Sequence, residues 1–96
     1  MSEPVHHDPR AEARTAWTRA ALGDDDAVPV RASMDAGFRS YWRAQCAAGS
    51  RIVMDSPPDK EDVRPWLDVR ALLQSGGVRV PGVLAQDVDA GFLLLE

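Results

Sequence analysis

The sequence predicts an α+β domain with a five-stranded antiparallel sheet, one helix that covers the sheet and an additional helix near the N-terminus. Three observations lead to this prediction. Short stretches of β-favouring residues are separated by turn signals. Two longer segments have a helical spacing of apolar residues instead. A length of 96 residues allows one domain at most.

Composition and charge argue against several classes of function. The net charge of −4 disfavours nucleic acid or an anionic membrane as a general partner. No apolar run approaches the roughly 18–20 residues that cross a bilayer. Cys46 is the only cysteine, which excludes an intramolecular disulfide and fits a reducing compartment. Because the N-terminus also lacks the apolar core of a signal peptide, a cytoplasmic location is expected.

The first nine residues are polar, and we expect them to form a flexible N-terminus that precedes a domain over residues 10–96. Within this tail, His6 and His7 stand beside Asp8, a combination that can bind metals. Adjacent histidines in a flexible tail rarely have the geometry that a metal requires. The sequence therefore predicts no metal site here.

A helix is predicted from Asp8 or Pro9 to about Leu22, because alanine, arginine and glutamate dominate the segment. Gly23 is suited to end it. The predicted apolar stripe is thin and consists of Ala13, Trp17, Ala20 and Ala21. The three acids at 24–26 are expected to be a solvated loop and not a metal site, since neighbouring side chains diverge.

Three strands of an antiparallel meander should follow. Residues 28–32 alternate apolar and polar side chains, and Pro29 places this strand at an edge. Small and polar residues at 33–37 predict a turn. A second strand is predicted over 38–46, and after a tight turn a third strand over 51–55.

A proline hinge then joins the third strand to a helix. Pro57 and Pro58 cannot donate backbone hydrogen bonds, so the strand ends before them. With Asp62 as N-cap, Pro65 would be the third helical residue, where its missing N–H is harmless. The helix should run over residues 63–75, until two glycines stop it. Its apolar arc comprises Val63, Trp66, Leu67, Val69 and Leu73.

The last two strands are predicted over 83–87 and 92–95. The final strand is apolar on both faces, so it should be covered on both sides. The sequence stops at Glu96, directly after this strand. Since a buried strand is an unusual end for a domain, we expect the chain to be the front part of a longer protein or a truncated product.

Five short segments resemble one family in wording and order. They are S-M-D-A-G-F-R-S-Y-W-R at 33–43, V-M-D-S-P-P at 53–58, V-P at 80–81, Q-D-V at 86–88 and G-F-L-L-L at 91–95. The pattern resembles the aminoglycoside phosphotransferase superfamily, and within it the bacterial N-acetylmuramate/N-acetylglucosamine anomeric kinases. Several residues depart from that family's wording, among them Met34, Gly37 and Ser40.

The resemblance covers about residues 28–96 and implies a protein-kinase-like N-lobe whose C-lobe is absent from this chain. It implies ATP and Mg²⁺ as cofactors of the complete protein and an amino sugar as its substrate, in cell-wall sugar recycling. The catalytic aspartates of such kinases belong to the C-lobe, so no residue here is assigned as catalytic. The chain is therefore expected to be inactive without its own C-lobe.

The resemblance also implies a nucleotide-phosphate site in the turn between the first two strands, where backbone N–H groups can face phosphates. The candidate residues are Ser33, Met34, Asp35, Ala36, Gly37, Phe38 and Arg39. The turn has a single glycine, and Asp35 would repel phosphate unless a cation intervenes. On the residues alone, such a turn is more often a simple hairpin.

A second candidate site combines the third strand with the following helix. Kinases place a lysine on this strand and pair it with a glutamate of the helix. Here Asp55 stands on the strand and Asp68 on the helix. The strand has no lysine, and the nearest one is Lys60, beyond the two prolines. A cap of the proline turn is the favoured interpretation of Asp55. Glu96 falls where the hinge to a C-lobe would begin.

One hypothesis from a different class remains open. The chain could be a stand-alone α+β module without catalysis that binds another protein through its apolar last strand and sheet face. Coding sequence beyond residue 96 would distinguish the two hypotheses.

Overall fold

The computed structural model describes residues 8–34 and 38–96, with only the backbone of Met34. Its helices and strands are, in order, α1 (Ala11–Leu22), β1 (Val30–Met34), β2 (Ser40–Cys46), β3 (Gly49–Asp55), α2 (Arg64–Ser75), β4 (Val83–Asp87) and β5 (Phe92–Leu95). The strands form one antiparallel sheet in the order β1-β2-β3-β5-β4. The predicted α+β class and five-stranded antiparallel sheet are therefore confirmed.

The strand boundaries agree with prediction for β4 and β5 and differ for the other three strands. Strand β2 begins at Ser40 and not at residue 38. Strand β3 begins at Gly49 and not at Arg51, because the turn between these two strands takes up only residues 47–48.

Strand β1 is an edge strand, as expected. However, β1 begins after Pro29, because proline has no N–H to give to the ladder. It also continues through Ser33 and Met34, which were predicted to belong to the turn. The remaining turn residues, 35–37, lie outside the described residues.

The start of α2 differs from the prediction by one residue. Val63 is the N-cap, so Pro65 is the second helical residue and not the third. Asp62 still contributes, because its Oδ1 accepts a hydrogen bond of 3.0 Å from the backbone N–H of Arg64. Proline at the second position needs no intrahelical acceptor, which explains why the shift is tolerated.

The buried face of α1 was predicted only in part, because Trp17 packs on the sheet as expected but the alanines of the predicted stripe are not buried. Its buried residues are Arg14 and Thr18, whereas Ala13 and Ala20 are exposed. Thr18 donates a 2.7 Å hydrogen bond from its hydroxyl to the carbonyl oxygen of Arg14. A helix normally turns its apolar stripe inward, but alanine offers little area, and an ion pair with the sheet decides the orientation here.

Both faces of the sheet are covered, each by one helix. On one face Met54, Leu93 and Leu95 form the core with Val63, at the N-terminus of α2. On the other face Phe92 stacks on Trp17 of α1, with 5.5 Å between the ring centroids. The predicted cover on both sides of β5 is confirmed, but α1 is a second covering helix and not a peripheral one. Across residues 8–34 and 38–96, neither helix is long and apolar enough to cross a membrane.

Candidate functional site

A buried carboxylate lies at the end of β3, bound by two arginines of the α1 segment. Asp55 has a side chain that is 3% exposed. Its Oδ1 accepts a 2.6 Å hydrogen bond from Nε of Arg10, and its Oδ2 accepts a 2.8 Å bond from Nη1 of Arg14. The two arginines are four residues apart, so they share one face of the helix end. Ion pairs therefore fasten α1 to the sheet.

Aromatic rings complete the surroundings of these two arginines. The guanidinium of Arg14 lies 3.6 Å from the ring centroid of Trp42, and that of Arg10 lies 4.6 Å from the centroid of Phe92. Arg10 also donates from Nη2 to the carbonyl oxygen of Ala90. Sequence reasoning missed both arginines, although their spacing of four on a helix was a usable signal.

A cavity of about 610 Å³ opens beside this cluster, between α1 and the ends of β2 and β3. Charged and aromatic side chains line it, among them Asp8, Arg10, Arg14, Arg31, Trp42 and Asp55. Most of these charges already bind one another, since Nη2 of Arg14 donates a 2.6 Å bond to Oδ2 of Asp8. Because these charged groups are already paired, we interpret the cluster as a contact that stabilises the packing of α1 on the sheet and not as a ligand site.

The ion pair between Arg14 and Asp8 predicts a stability change in acid. The hydrogen bond from Arg14 lowers the pKa of Asp8 below its ordinary value of 3.8, although partial burial opposes this. A lowered folded-state pKa adds stability that is complete above the unfolded-state pKa and is lost as pH falls through the folded-state value. We expect the difference in unfolding free energy between the native chain and Asp8→Asn to be constant above about pH 5 and to shrink as the pH falls further. Urea titrations across this range would measure it, and a difference independent of pH would contradict the expectation.

The second region of interest lies on the opposite face, where β2 begins. The side chain of Arg39 is largely buried and pairs with Glu61, with 3.5 Å between Nη2 and Oε1. Glu61 stands just before α2. The residue before Arg39, Phe38, is exposed and belongs to the other side, where it lines the cavity beside Asp55, and Nζ of Lys60 lies 5.8 Å from the centroid of its ring. A cation and an acid therefore meet between the end of the β1–β2 turn and the segment that leads into α2.

The predicted phosphate-binding residues are only partly described. Ser33 and Met34 lie within β1, opposite Tyr41 and Ser40 of β2. Asp35, Ala36 and Gly37 lie outside the described residues. Of the candidates, Arg39 is the one with a described charged group, and it lies on the α2 side of the sheet. A phosphate role for the turn stays a prediction.

The structure does not bring together the predicted strand and helix acids. Asp55 faces α1, whereas Asp68 is exposed on α2. Alternation along a strand makes its neighbour Met54 the residue that packs toward α2. Two hydrogen bonds of 3.0 Å join Glu96 and Gly82. The backbone N–H of Glu96 donates to the carbonyl oxygen of Gly82, and Oε1 of Glu96 accepts from the backbone N–H of Gly82. The β5 end is thereby fastened to the segment that enters β4.

Comparison with known proteins identifies three curated relatives. The chain is 53% identical over 67 residues to an N-acetylmuramate/N-acetylglucosamine kinase of Pseudomonas aeruginosa, an alignment that takes in 70% of this chain. It is 43% identical over 99 residues to the protein of that name in Pseudomonas putida, covering 93% of the chain. A third, from Neisseria meningitidis serogroup B, is 42% identical over 81 residues, covering 83%.

The chain spans 20–29% of the length of these relatives. The similarity at 42–53% identity therefore concerns one part of each kinase. No protein-family model matches the chain. No solved structure matches it either.

Proposed function

We propose that the chain forms the nucleotide-binding N-lobe of an ATP-dependent amino-sugar phosphotransferase and is inactive without a C-lobe. The observation that carries this is the similarity to three proteins named N-acetylmuramate/N-acetylglucosamine kinase. The complete enzyme would transfer a phosphoryl group from ATP, with Mg²⁺, to N-acetylmuramate or N-acetylglucosamine. Such a reaction would serve the recycling of cell-wall sugars in the cytoplasm.

The pair of Arg39 and Glu61 supports a phosphate site on the α2 side of the sheet. Kinases hold the nucleotide phosphates with a cation that an acid near the covering helix keeps in place. The residues of β3 that face α2, Ile52 and Met54, carry no charge. Arg39 follows the β1–β2 turn directly and has its acid 3.5 Å away. We assign to Arg39 the role of the cation that binds the nucleotide phosphates, and to Glu61 the role of holding Arg39 in position.

A hybrid enzyme tests the proposal. In this hybrid kinase, the present chain replaces the matching segment of the Pseudomonas putida kinase, with which it shares 43% identity. We expect the folded hybrid kinase to consume ATP and phosphorylate N-acetylmuramate and N-acetylglucosamine, and the 96-residue chain alone to do neither. The natural Pseudomonas putida protein is the positive control. A folded hybrid kinase without activity on either sugar would refute the assignment.

A second function, as a stand-alone protein-interaction module, has one observation in its favour. Several large apolar side chains are exposed, including Val69 and Leu72 on α2 and Val30 on the edge strand β1. Exposed apolar clusters often mark protein contacts. Capture of an unrelated protein by the folded chain, together with an inactive hybrid kinase, would favour this function over phosphotransfer.

A further inference from the structure

Helix α2 carries more apolar surface than the sheet covers. Trp66 and Leu67 pack against the core of the sheet, yet no residue within α2 is buried. Three apolar side chains of α2 are largely exposed: Val69 (56%), Leu72 (72%) and Leu73 (43%). Leu72 and Leu73 follow Val69 by three and four residues, so all three lie on one side of the helix. We call these three residues the α2 patch. Leaving such a cluster in water forgoes the free energy of burying it.

The α2 patch borders a groove of about 380 Å³ that has mostly apolar walls. The groove runs between α2 and the connector to β4. Among the residues that line it are Arg39, Trp66, Val69, Arg70, Leu73 and Pro81. Two hydrogen bonds hold its walls together. Nε of Arg70 donates at 2.6 Å to the carbonyl oxygen of Pro81, and the N–H of Val78 donates at 3.0 Å to that of Leu73. The groove is thus built from two fixed segments.

We propose that the α2 patch and this groove are the surface on which the remainder of the kinase polypeptide docks. This rests on the proposed function, because the occupant is the part of such a kinase that the present chain does not contain. The chain spans 20–29% of the length of its relatives, so most of a complete polypeptide would lie outside it. A polypeptide several times longer than this chain has enough apolar side chains to bury the α2 patch and to fill the groove beside it.

Charge at the groove narrows the chemistry of the docked segment. The charged residues among those that line it are Arg39 and Arg70, both cationic. Arg70 already bonds with Pro81, and Arg39 with Glu61. Because Arg39 is assigned to the nucleotide phosphates, Arg70 is the cation that remains for the docked segment. That segment should therefore be apolar at its centre and carry an acidic side chain toward Arg70 at the rim.

The test compares the 96-residue chain with the hybrid kinase. Amide hydrogen exchange across α2 should be at least about tenfold slower in the hybrid kinase, because docking suppresses local opening of the helix. Leu72→Asp should lower the midpoint temperature of unfolding of the 96-residue chain only slightly, by its cost in helix propensity, since the side chain is 72% exposed there. The same substitution should lower the midpoint temperature of the hybrid kinase by a larger amount.

Ala71→Asp is the matched control, because it introduces the same residue one position earlier, at an exposed site outside the α2 patch. Its cost in helix propensity is slightly larger, because alanine is the better helix former, and this cost should be the same in the chain and in the hybrid kinase. If Leu72→Asp also has equal effects in both proteins and α2 exchanges at equal rates, the docking surface is refuted.

The oligomeric state of the chain and the activity of the hybrid kinase complete the test of the docking surface. If the 96-residue chain sediments as a dimer that Leu72→Asp dissociates, the α2 patch binds a second copy and the proposal is overturned. If the hybrid kinase does not fold, the exchange comparison is made between the natural Pseudomonas putida kinase and its own matching segment. Slow exchange across α2 in an inactive hybrid kinase would support the docking surface and refute phosphotransfer. An active hybrid kinase in which α2 exchanges as fast as in the 96-residue chain would support phosphotransfer and refute the docking surface.

Discussion

Replacing Asp55 by alanine is expected to lower the free energy of unfolding by about 3–5 kcal/mol, the cost of removing one partner from a buried ion pair. Its carboxylate binds Arg14, whose side chain is 5% exposed, and also Arg10. Without that carboxylate, the charge of Arg14 would stay buried, and among the described residues Asp8 would be its one remaining ionic partner. Urea unfolding of both proteins, followed by circular dichroism, would measure the difference.

Asp62→Ala is the matched control. That carboxylate is at the surface, where it pairs with Arg64 and accepts the N–H of Arg64, so its removal should cost much less than removal of the buried carboxylate. If Asp55→Ala unfolds the chain completely, the milder Asp55→Asn, which keeps the shape of the side chain, should still fold with reduced stability. A loss for Asp55→Ala no larger than that of the control would contradict a structural role for the ion cluster.

Arg39→Ala in the hybrid kinase is expected to lower kcat/KM for ATP by roughly 10²–10³-fold, the usual effect of removing one group that stabilises transition-state charge. Arg39→Lys should retain part of the activity, because a point charge remains without the planar guanidinium. Glu61→Gln should act less strongly and chiefly raise KM for ATP, since Glu61 positions Arg39 through their 3.5 Å contact. Steady-state kinetics with varied ATP would measure all three.

The control for these kinetics is Arg43→Ala. Arg43 lies within β2, four residues after Arg39, and Arg39 directly precedes that strand. By alternation Arg43 is on the same side as Arg39, and it is exposed. It should leave kcat/KM near that of the unchanged hybrid kinase. Equal losses for Arg39→Ala and Arg43→Ala, with unchanged folding, would remove Arg39 from the phosphate site.

Local patterns were sufficient for most of the secondary structure. Strands β4 and β5 have the predicted boundaries because alternating or continuous apolar residues end at clear turn signals. Gly23, with φ of 66°, ends α1 as expected, because glycine adopts the left-handed conformation without a steric cost. The beginning of β1 was displaced by Pro29, and the cap of α2 by one residue, which are errors of boundary and not of element type.

The candidate sites depended on which side chains meet across the sheet, and this was less predictable. The sequence placed Asp55 and Asp68 together by analogy with a strand-and-helix ion pair. The partners of Asp55 are instead Arg10 and Arg14, 45 and 41 residues away in the chain. A one-residue step along a strand reverses the side of the sheet, so the strand pattern alone could not say which helix Asp55 faces.

By itself, the sequence determined the α+β class, the five strands, both helices and the resemblance that led to the kinase proposal. Only the tertiary structure decided that α1 turns its arginines and not its alanines toward the sheet, that Met54 faces α2, and that the α2 patch remains uncovered. The physical reason is the range of the interactions. Propensity, capping and periodicity act within a few residues, whereas burial and ion pairing join residues far apart in the chain.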